Sequence, residues 1–245
     1  ALGLLMLARG EKEEKKRVDT QTNLSFLGIH SHTISAVVFG SIGLAGVLLS
    51  HNVIGFITLF FAAVFLFGFS LYAIVRKCLP SLLPFFVLVL FGIGLSAFFT
   101  LPAFLEKSIT QVEELTEGGS DFHQHFVSID QLWDSPWGYG GSAPGNLDGM
   151  SFKIGKTHLL LGLFSCAFFI FLFWKKRLQR FQIISFLSWI FLIVLSVYFM
   201  LDISSILYET IPSFPYIQYP WRFLVYALLG ISALPAMFFW YGKKY

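Results

Sequence analysis

Charge is what this sequence has least of. Asp, Glu, Lys and Arg make up only 13% of its 245 residues, where a soluble chain carries about 25%. So few charges cannot cover a water-facing surface, which excludes an ordinary soluble domain. Six runs carry no charged residue at all: 33–50, 53–75, 81–104, 159–174, 181–201 and 223–241. An ion-coupled carrier or pump needs ionisable groups inside the bilayer to hold the moving charge, so these runs argue against one. Period-2 alternation is also lacking, which excludes a membrane β-barrel. Cysteine is scarce. Cys78 falls at a helix end and Cys166 inside a helix, so no disulfide framework is expected. No cleavable signal peptide is expected from the opening residues, and 1–8 (ALGLLMLA) are too short to span a bilayer. They read as the tail of a truncated helix, residues 9–31 as a cytoplasmic segment, and 1–245 as one fragment of a membrane domain.

What is abundant is apolar. Hydrophobic residues are 56% of the chain, mean hydropathy is +0.73, and there are 30 phenylalanines. Each of the six runs suits a helix crossing about 30 Å of hydrocarbon. The fourth is short but followed by Lys175 and Lys176, whose long side chains can snorkel. The expected fold is therefore all-α: a polytopic transmembrane bundle of about six helices with a long, partly ordered extracytoplasmic loop. Small residues at Ala36, Gly40, Gly43, Gly46, Gly92, Gly94 and Ser96 read as close helix-packing seams.

The net charge of +3 says little, because the charges are sorted by segment; no nucleic-acid partner is expected. Thirteen of the 17 basic residues fall on alternate connections: 9–17, 76–77, 175–180 and 243–244. By the positive-inside rule those connections, and both ends of the fragment, are cytoplasmic. The other side receives Lys107, Lys153, Lys156 and Arg222 together with 10 of the 14 acidic residues. The turn 50–52 and the loops 106–158 and 202–220 then face outward.

Polar and aromatic chemistry gathers in those outer segments. Residues 106–119 form a short acidic stretch that suits a helix ending at the glycine pair. If residues 120–125 (SDFHQH) are extended, Asp121, His123 and His125 share one face. That trio fits either a divalent metal ion or loop histidines satisfied by hydrogen bonds. Residues 128–133 read as one helical turn capped by Ser128. Trp133, Asp134, Trp137 and Tyr139 lie in a Gly- and Pro-rich stretch and form a loop cap. Its aromatics fit an interfacial belt or a platform for stacking on a sugar ring. In the second outer loop, Pro220 suits a helix start and places Arg222 in the first turn of the last helix. With Gln218 nearby, Arg222 is a candidate for lipid phosphate; the other reading is an ordinary interfacial anchor. His51 and Asn52 either cap two helix ends or line an outer cleft.

Four segments carry a family resemblance: 49–52 (LSHN), 94–105 (GLSAFFTLPAFL), 133–141 (WDSPWGYGG) and 217–224 (IQYPWRFL). In this order the chain resembles bacterial and archaeal membrane proteins labelled as a 6-pyruvoyl-tetrahydropterin-synthase-related membrane domain. Those are relatives of the GT-C class of glycosyltransferases. The resemblance implies transfer of a sugar from a polyprenyl-phosphate-linked donor on the outer face of a prokaryotic cytoplasmic membrane, with membrane lipids as constant partners. Such enzymes keep an essential acidic residue in their first outer loop, which would precede Ala1. Nothing selects Asp121, Asp130 or Asp134 as a substitute base. The competing expectations are a lipid or polysaccharide flippase or transporter subunit, and a non-enzymatic membrane scaffold.

Overall fold

The structure is a computed structural model that describes residues 31–76, 82–106, 109, 116, 118–145 and 147–242. Among these there is no β-strand, and eight α-helices account for the architecture. The long ones are α1 (Ser31–Ser50), α2 (Asn52–Arg76), α3 (Leu83–Leu105), α5 (Lys156–Trp174), α6 (Arg180–Met200) and α8 (Leu224–Gly242). Two short ones, α4 (Ile129–Trp133) and α7 (Ser205–Thr210), lie between them. Five helices are long and apolar enough to cross a membrane, namely α1, α2, α3, α5 and α6. The sixth expected crossing is present as α8, but its apolar stretch, Pro220–Ala236, is shorter than the other five. The protein is thus a multi-pass, all-helical membrane protein. The stretch 1–8, all of 9–31 but Ser31, most of the acidic segment 106–119, Cys78 and the basic pair Lys243 and Lys244 lie outside the described residues.

The chain divides into two compact units, residues 1–105 and 106–245. In the first, α1 packs on both α2 and α3. The seam with α3 uses some of the expected small residues. A Cβ on Gly40 would run into the Leu88 side chain, and one on Gly92 would lie 2.6 Å from the Leu44 side chain. Ser41 Oγ reaches Val37 O on its own helix (2.7 Å) and Leu88 O on α3 (3.1 Å), a polar link of the kind that joins helices in lipid. Gly43, Gly46 and Gly94 do not share this role: a Cβ on any of them would meet nothing within 4 Å. The sequence marks small residues but not which face of the helix they are packed on.

In the second unit, α8 packs against both α5 and α6. Phe169 of α5 stacks on Phe186 of α6 at 3.7 Å between ring centres, and Gly162 lets α5 approach Ile231 of α8. Beyond the ends of these helices the connecting segments build a second core. It contains Phe122, Val127, Phe152, Phe199, Tyr208, Phe214, Ile217 and Phe223, all buried. The described part of the loop 106–158 from residue 118 onward is tied by its backbone to helix ends: Val127 N–H donates to Met200 O at 2.8 Å, and Ile154 N–H to Leu132 O at 3.0 Å. The turn expected at 128–133 is α4, with a reciprocal capping box between Ser128 and Gln131.

Candidate functional site

Three polar clusters stand out in the second unit. The first surrounds Arg222. The segment leading to α8 makes a short 3-10 turn, Pro215–Ile217, then reverses at Gln218 and enters a second 3-10 turn, Pro220–Phe223. At the reversal Tyr219 N–H donates to Ile217 O at 2.6 Å, closing a three-residue γ-turn with Gln218 at its centre. Gln218 has φ 61 and ψ −48, the rare and strained hand of that turn. A side chain held there costs roughly 1–3 kcal/mol. Such strain persists only where surrounding contacts hold it, and Arg222 supplies one. Its Nη1 donates to the same Ile217 carbonyl at 2.6 Å and reaches Gln218 Oε1 at 3.4 Å.

The Arg222 guanidinium also lies over the Tyr219 ring, 4.7 Å from its centre, a cation–π contact. Tyr219 is held in turn: its hydroxyl shares a hydrogen bond with Ser120 Oγ at 3.2 Å, and its ring meets His125 at 4.6 Å and Trp221 at 5.5 Å. Arg222 is half-buried, yet among the described residues its hydrogen-bond acceptors are a neutral carbonyl and an amide oxygen. None of the ion pairs among the described residues involves it. Its own backbone N–H is already donated to Tyr219 O at 3.0 Å. A helix start usually offers free backbone N–H groups to an anion, but at this residue only the side chain is left to do so. The physical reason is that the helix opens through a 3-10 turn, which uses that N–H locally.

The second cluster corrects the expected metal face. Residues 122–124 form a 3-10 turn (Phe122–Gln124) capped by Asp121 rather than an extended segment, so the three side chains do not share a face. His123 sits between two carboxylates, with Nδ1 at 2.7 Å from Asp121 and Nε2 at 3.4 Å from Glu209 of α7. His125 is buried among other partners: Nε2 is 2.9 Å from Gly119 O and Nδ1 is 2.9 Å from Ser142 Oγ. A carbonyl can only accept, so Nε2 donates to Gly119 O, and the serine hydroxyl can serve Nδ1 as either donor or acceptor. Among the described residues no group of three His, Cys, Asp or Glu side chains converges as a metal site. The hydrogen-bonded reading of these histidines is the one the geometry carries.

The Asp121–His123 pair shifts both groups. The hydrogen bond from Asp121 raises the His123 pKa above its usual 6.5, more than partial burial lowers it, and Glu209 adds to the rise. Burial alone would raise Asp121, but the backbone N–H and ring of His123 outweigh it and hold the carboxyl below its usual 3.8. The raised histidine stabilises the fold fully below its unfolded pKa and loses that effect as pH rises through the folded value. The depressed carboxylate stabilises above its unfolded pKa and loses that effect as pH falls through its folded value. The pair is therefore intact between the two folded pKa values, although exposure keeps its contribution small. An NMR titration of His123 should show a midpoint above 6.5, moved down by Asp121→Asn; a wild-type midpoint at or below 6.5 would refute the pairing.

The third cluster is the aromatic loop. Residues 132–141 pair back against 149–154 through Ile154 N–H to Leu132 O and reciprocal bonds between Gly149 and Gly140–141. Ser135 Oγ joins in by accepting from Phe152 N–H at 2.8 Å. At the base of this ribbon Asp134 lies 3.9 Å from both Lys153 and Lys156, and Lys156 Nζ sits 5.7 Å from the centre of the Trp133 ring. Trp137 and Tyr139 meet edge to face at 5.9 Å and are strongly exposed, at 73% and 96%. Asp148 pins the far end, accepting from Gln131 Nε2 at 2.6 Å and Ala143 N–H at 2.8 Å.

The sequence-predicted residues are thus brought together in part. Gln218 does join Arg222, and His125 reaches the same cluster through Tyr219. Asp121 and His123 pair with each other, and Trp133 and Asp134 meet the start of α5. His51 belongs to the first unit, where its Nδ1 accepts from Val53 and Ile54 N–H at 3.2 and 3.4 Å; Asn52 is the exposed first residue of α2. The capping role is therefore the one seen for His51. Tyr219, Trp221, Ser120, Ser142 and Glu209 were not anticipated. Tyr219 and Trp221 lie just before Arg222 in the sequence, whereas Ser120 and Ser142 come from the long loop and Glu209 from α7. The chain matches no family model, no curated protein and no solved structure.

Proposed function

We propose that this chain is the membrane-embedded part of a GT-C-like glycosyltransferase that holds the phosphate of a polyprenyl-phosphate-linked sugar through Arg222. The observation that carries the reading is the half-buried guanidinium with no carboxylate partner among the described residues. Desolvating a cation without a counter-charge is unfavourable, and the missing negative charge is what a lipid phosphate supplies. Arginine suits the task because its planar fork offers parallel donors; here Nη1 is spent on the turn while Nε and Nη2 have no hydrogen bond among the described residues. The resemblance in residues 217–224 supports the choice of a lipid-linked sugar over other anions. The sorting of basic residues supports an orientation with this cluster on the extracytoplasmic side of a prokaryotic cytoplasmic membrane. In the same reading the exposed Trp137 and Tyr139 cover the sugar. This reading assigns no described residue the part of catalytic base.

The test is binding of a polyprenyl phosphate to the full-length protein, with the unphosphorylated polyprenol as control. Arg222→Ala should weaken binding at least tenfold, since a charge-assisted hydrogen bond contributes about 1.5–3 kcal/mol. Arg222→Lys should recover only part, because it keeps the charge but not the fork. Equal affinity of wild type and Arg222→Ala would overturn the assignment.

A further inference from the structure

Among the described residues, one buried side-chain nitrogen has no hydrogen-bond partner: Nε1 of Trp221, the residue before Arg222. Buried N–H groups in folded proteins nearly always find an acceptor, and an exception calls for an explanation. The ring's neighbours provide none. Tyr219 and Phe152 present aromatic rings at 5.5 and 5.8 Å, and the Tyr219 hydroxyl is engaged with Ser120. A trapped water needs at least two polar partners, and two ring faces do not supply them.

We infer that the Trp221 indole N–H is the second donor of the Arg222 site and hydrogen-bonds a non-bridging phosphate oxygen of the bound ligand. This rests on the phosphate reading of Arg222. Both side chains pack on one ring, Arg222 at 4.7 Å and Trp221 at 5.5 Å from Tyr219. Consecutive residues therefore carry a charged and a neutral donor, both lacking an anionic acceptor among the described residues. A phosphate ester has two or three non-bridging oxygens and can satisfy both at once. The indole ring is partly exposed while its N–H is covered, so the ligand oxygen replaces the present cover. The adjoining turn can supply that movement, since Gln218 is held in a strained conformation. The ligand class is a lipid phosphate ester, from a polyprenyl carrier or a phospholipid headgroup.

The experiment uses the full chain in nanodiscs with two variants and one spectroscopic readout. Trp221→Phe keeps an aromatic ring but removes the N–H together with part of the indole's packing surface, which is why the resonance is read alongside it. It should lower polyprenyl phosphate affinity about tenfold, and the wild-type Trp221 indole N–H resonance should move downfield as ligand is added. Loss of binding in Arg222→Ala with none in Trp221→Phe and an unmoved resonance overturns this inference and leaves the Arg222 site standing. No loss in either variant overturns both. Lost affinity in Trp221→Phe with an unmoved wild-type resonance also overturns it, because the ring is then structural. Competition by phosphatidylglycerol at equal affinity supports the inference with a headgroup as ligand; tighter polyprenyl phosphate binding supports it with the carrier.

Discussion

Replacing Tyr208 with alanine should destabilise the second unit by about 3–5 kcal/mol, the range for deleting a large buried aromatic side chain. Tyr208 is fully buried in the short helix α7. Its ring stacks on Phe122 at 5.1 Å and meets Phe126 and Phe214 edge-on at 5.3 and 5.5 Å. Its hydroxyl donates to Phe199 O at 3.0 Å. Phe199 in turn stacks on Phe223 at 4.9 Å, the residue after Arg222. Deleting the ring opens a cavity in the layer that seats the Gln218–Arg222 turn, so phosphate binding should weaken along with stability. Tyr208→Phe separates the two contributions. It keeps the packing and leaves Phe199 O with the Ser204 hydroxyl at 3.3 Å as a remaining donor, at a cost of about 0.5–1.5 kcal/mol. Thermal unfolding in detergent checks both. A Tyr208→Ala protein that melts with the wild type would show that this core does not support the fold.

Gly149→Ala should break the aromatic ribbon while leaving the helices in place. A Cβ on Gly149 would lie 2.6 Å from Gly140 Cα, and the contact is reciprocal, since a Cβ on Gly140 would lie 2.8 Å from Gly149 Cα. On Gly138 it would collide with Gly149 O. Backbone is pressed against backbone, so no side chain can rotate away. Overpacking of this kind costs typically 1–3 kcal/mol, enough to unpair a ribbon held by few bonds. Hydrogen exchange should then accelerate at Gly140, Gly149 and Ile154, while the α5 and α6 amides keep their protection. Unchanged exchange at those three amides would mean the two strips are not paired. If the aromatic cap covers a sugar, the same variant should weaken binding of a polyprenyl-linked sugar more than that of polyprenyl phosphate alone.

The helices were legible because their cause is local. A run of twenty apolar residues has one low-energy solution in lipid, which is to bond its backbone to itself. The six runs accordingly agree with the observed helices to within three residues at every end. The Ser128 cap was legible for the same reason, since donor and acceptor are three residues apart. The histidine segment failed at that level too. Its alternation assumed an extended chain, whereas Asp121 accepts from His123 N–H at 3.1 Å and turns the backbone into a 3-10 helix.

By itself, then, the sequence determined a multi-pass helical membrane protein with its polar chemistry confined to the connections. Charge content and run length suffice for that, because each helix satisfies its own backbone. Only the tertiary structure decided what Arg222 faces. Its partners Ile217 and Gln218 are near in sequence, but the ring beneath it is steadied by Ser120 and His125, about a hundred residues away. It also decided that the Trp221 N–H lies buried without an acceptor. Such facts depend on long-range packing of aromatic side chains, which no local pattern of hydrophobicity or charge encodes.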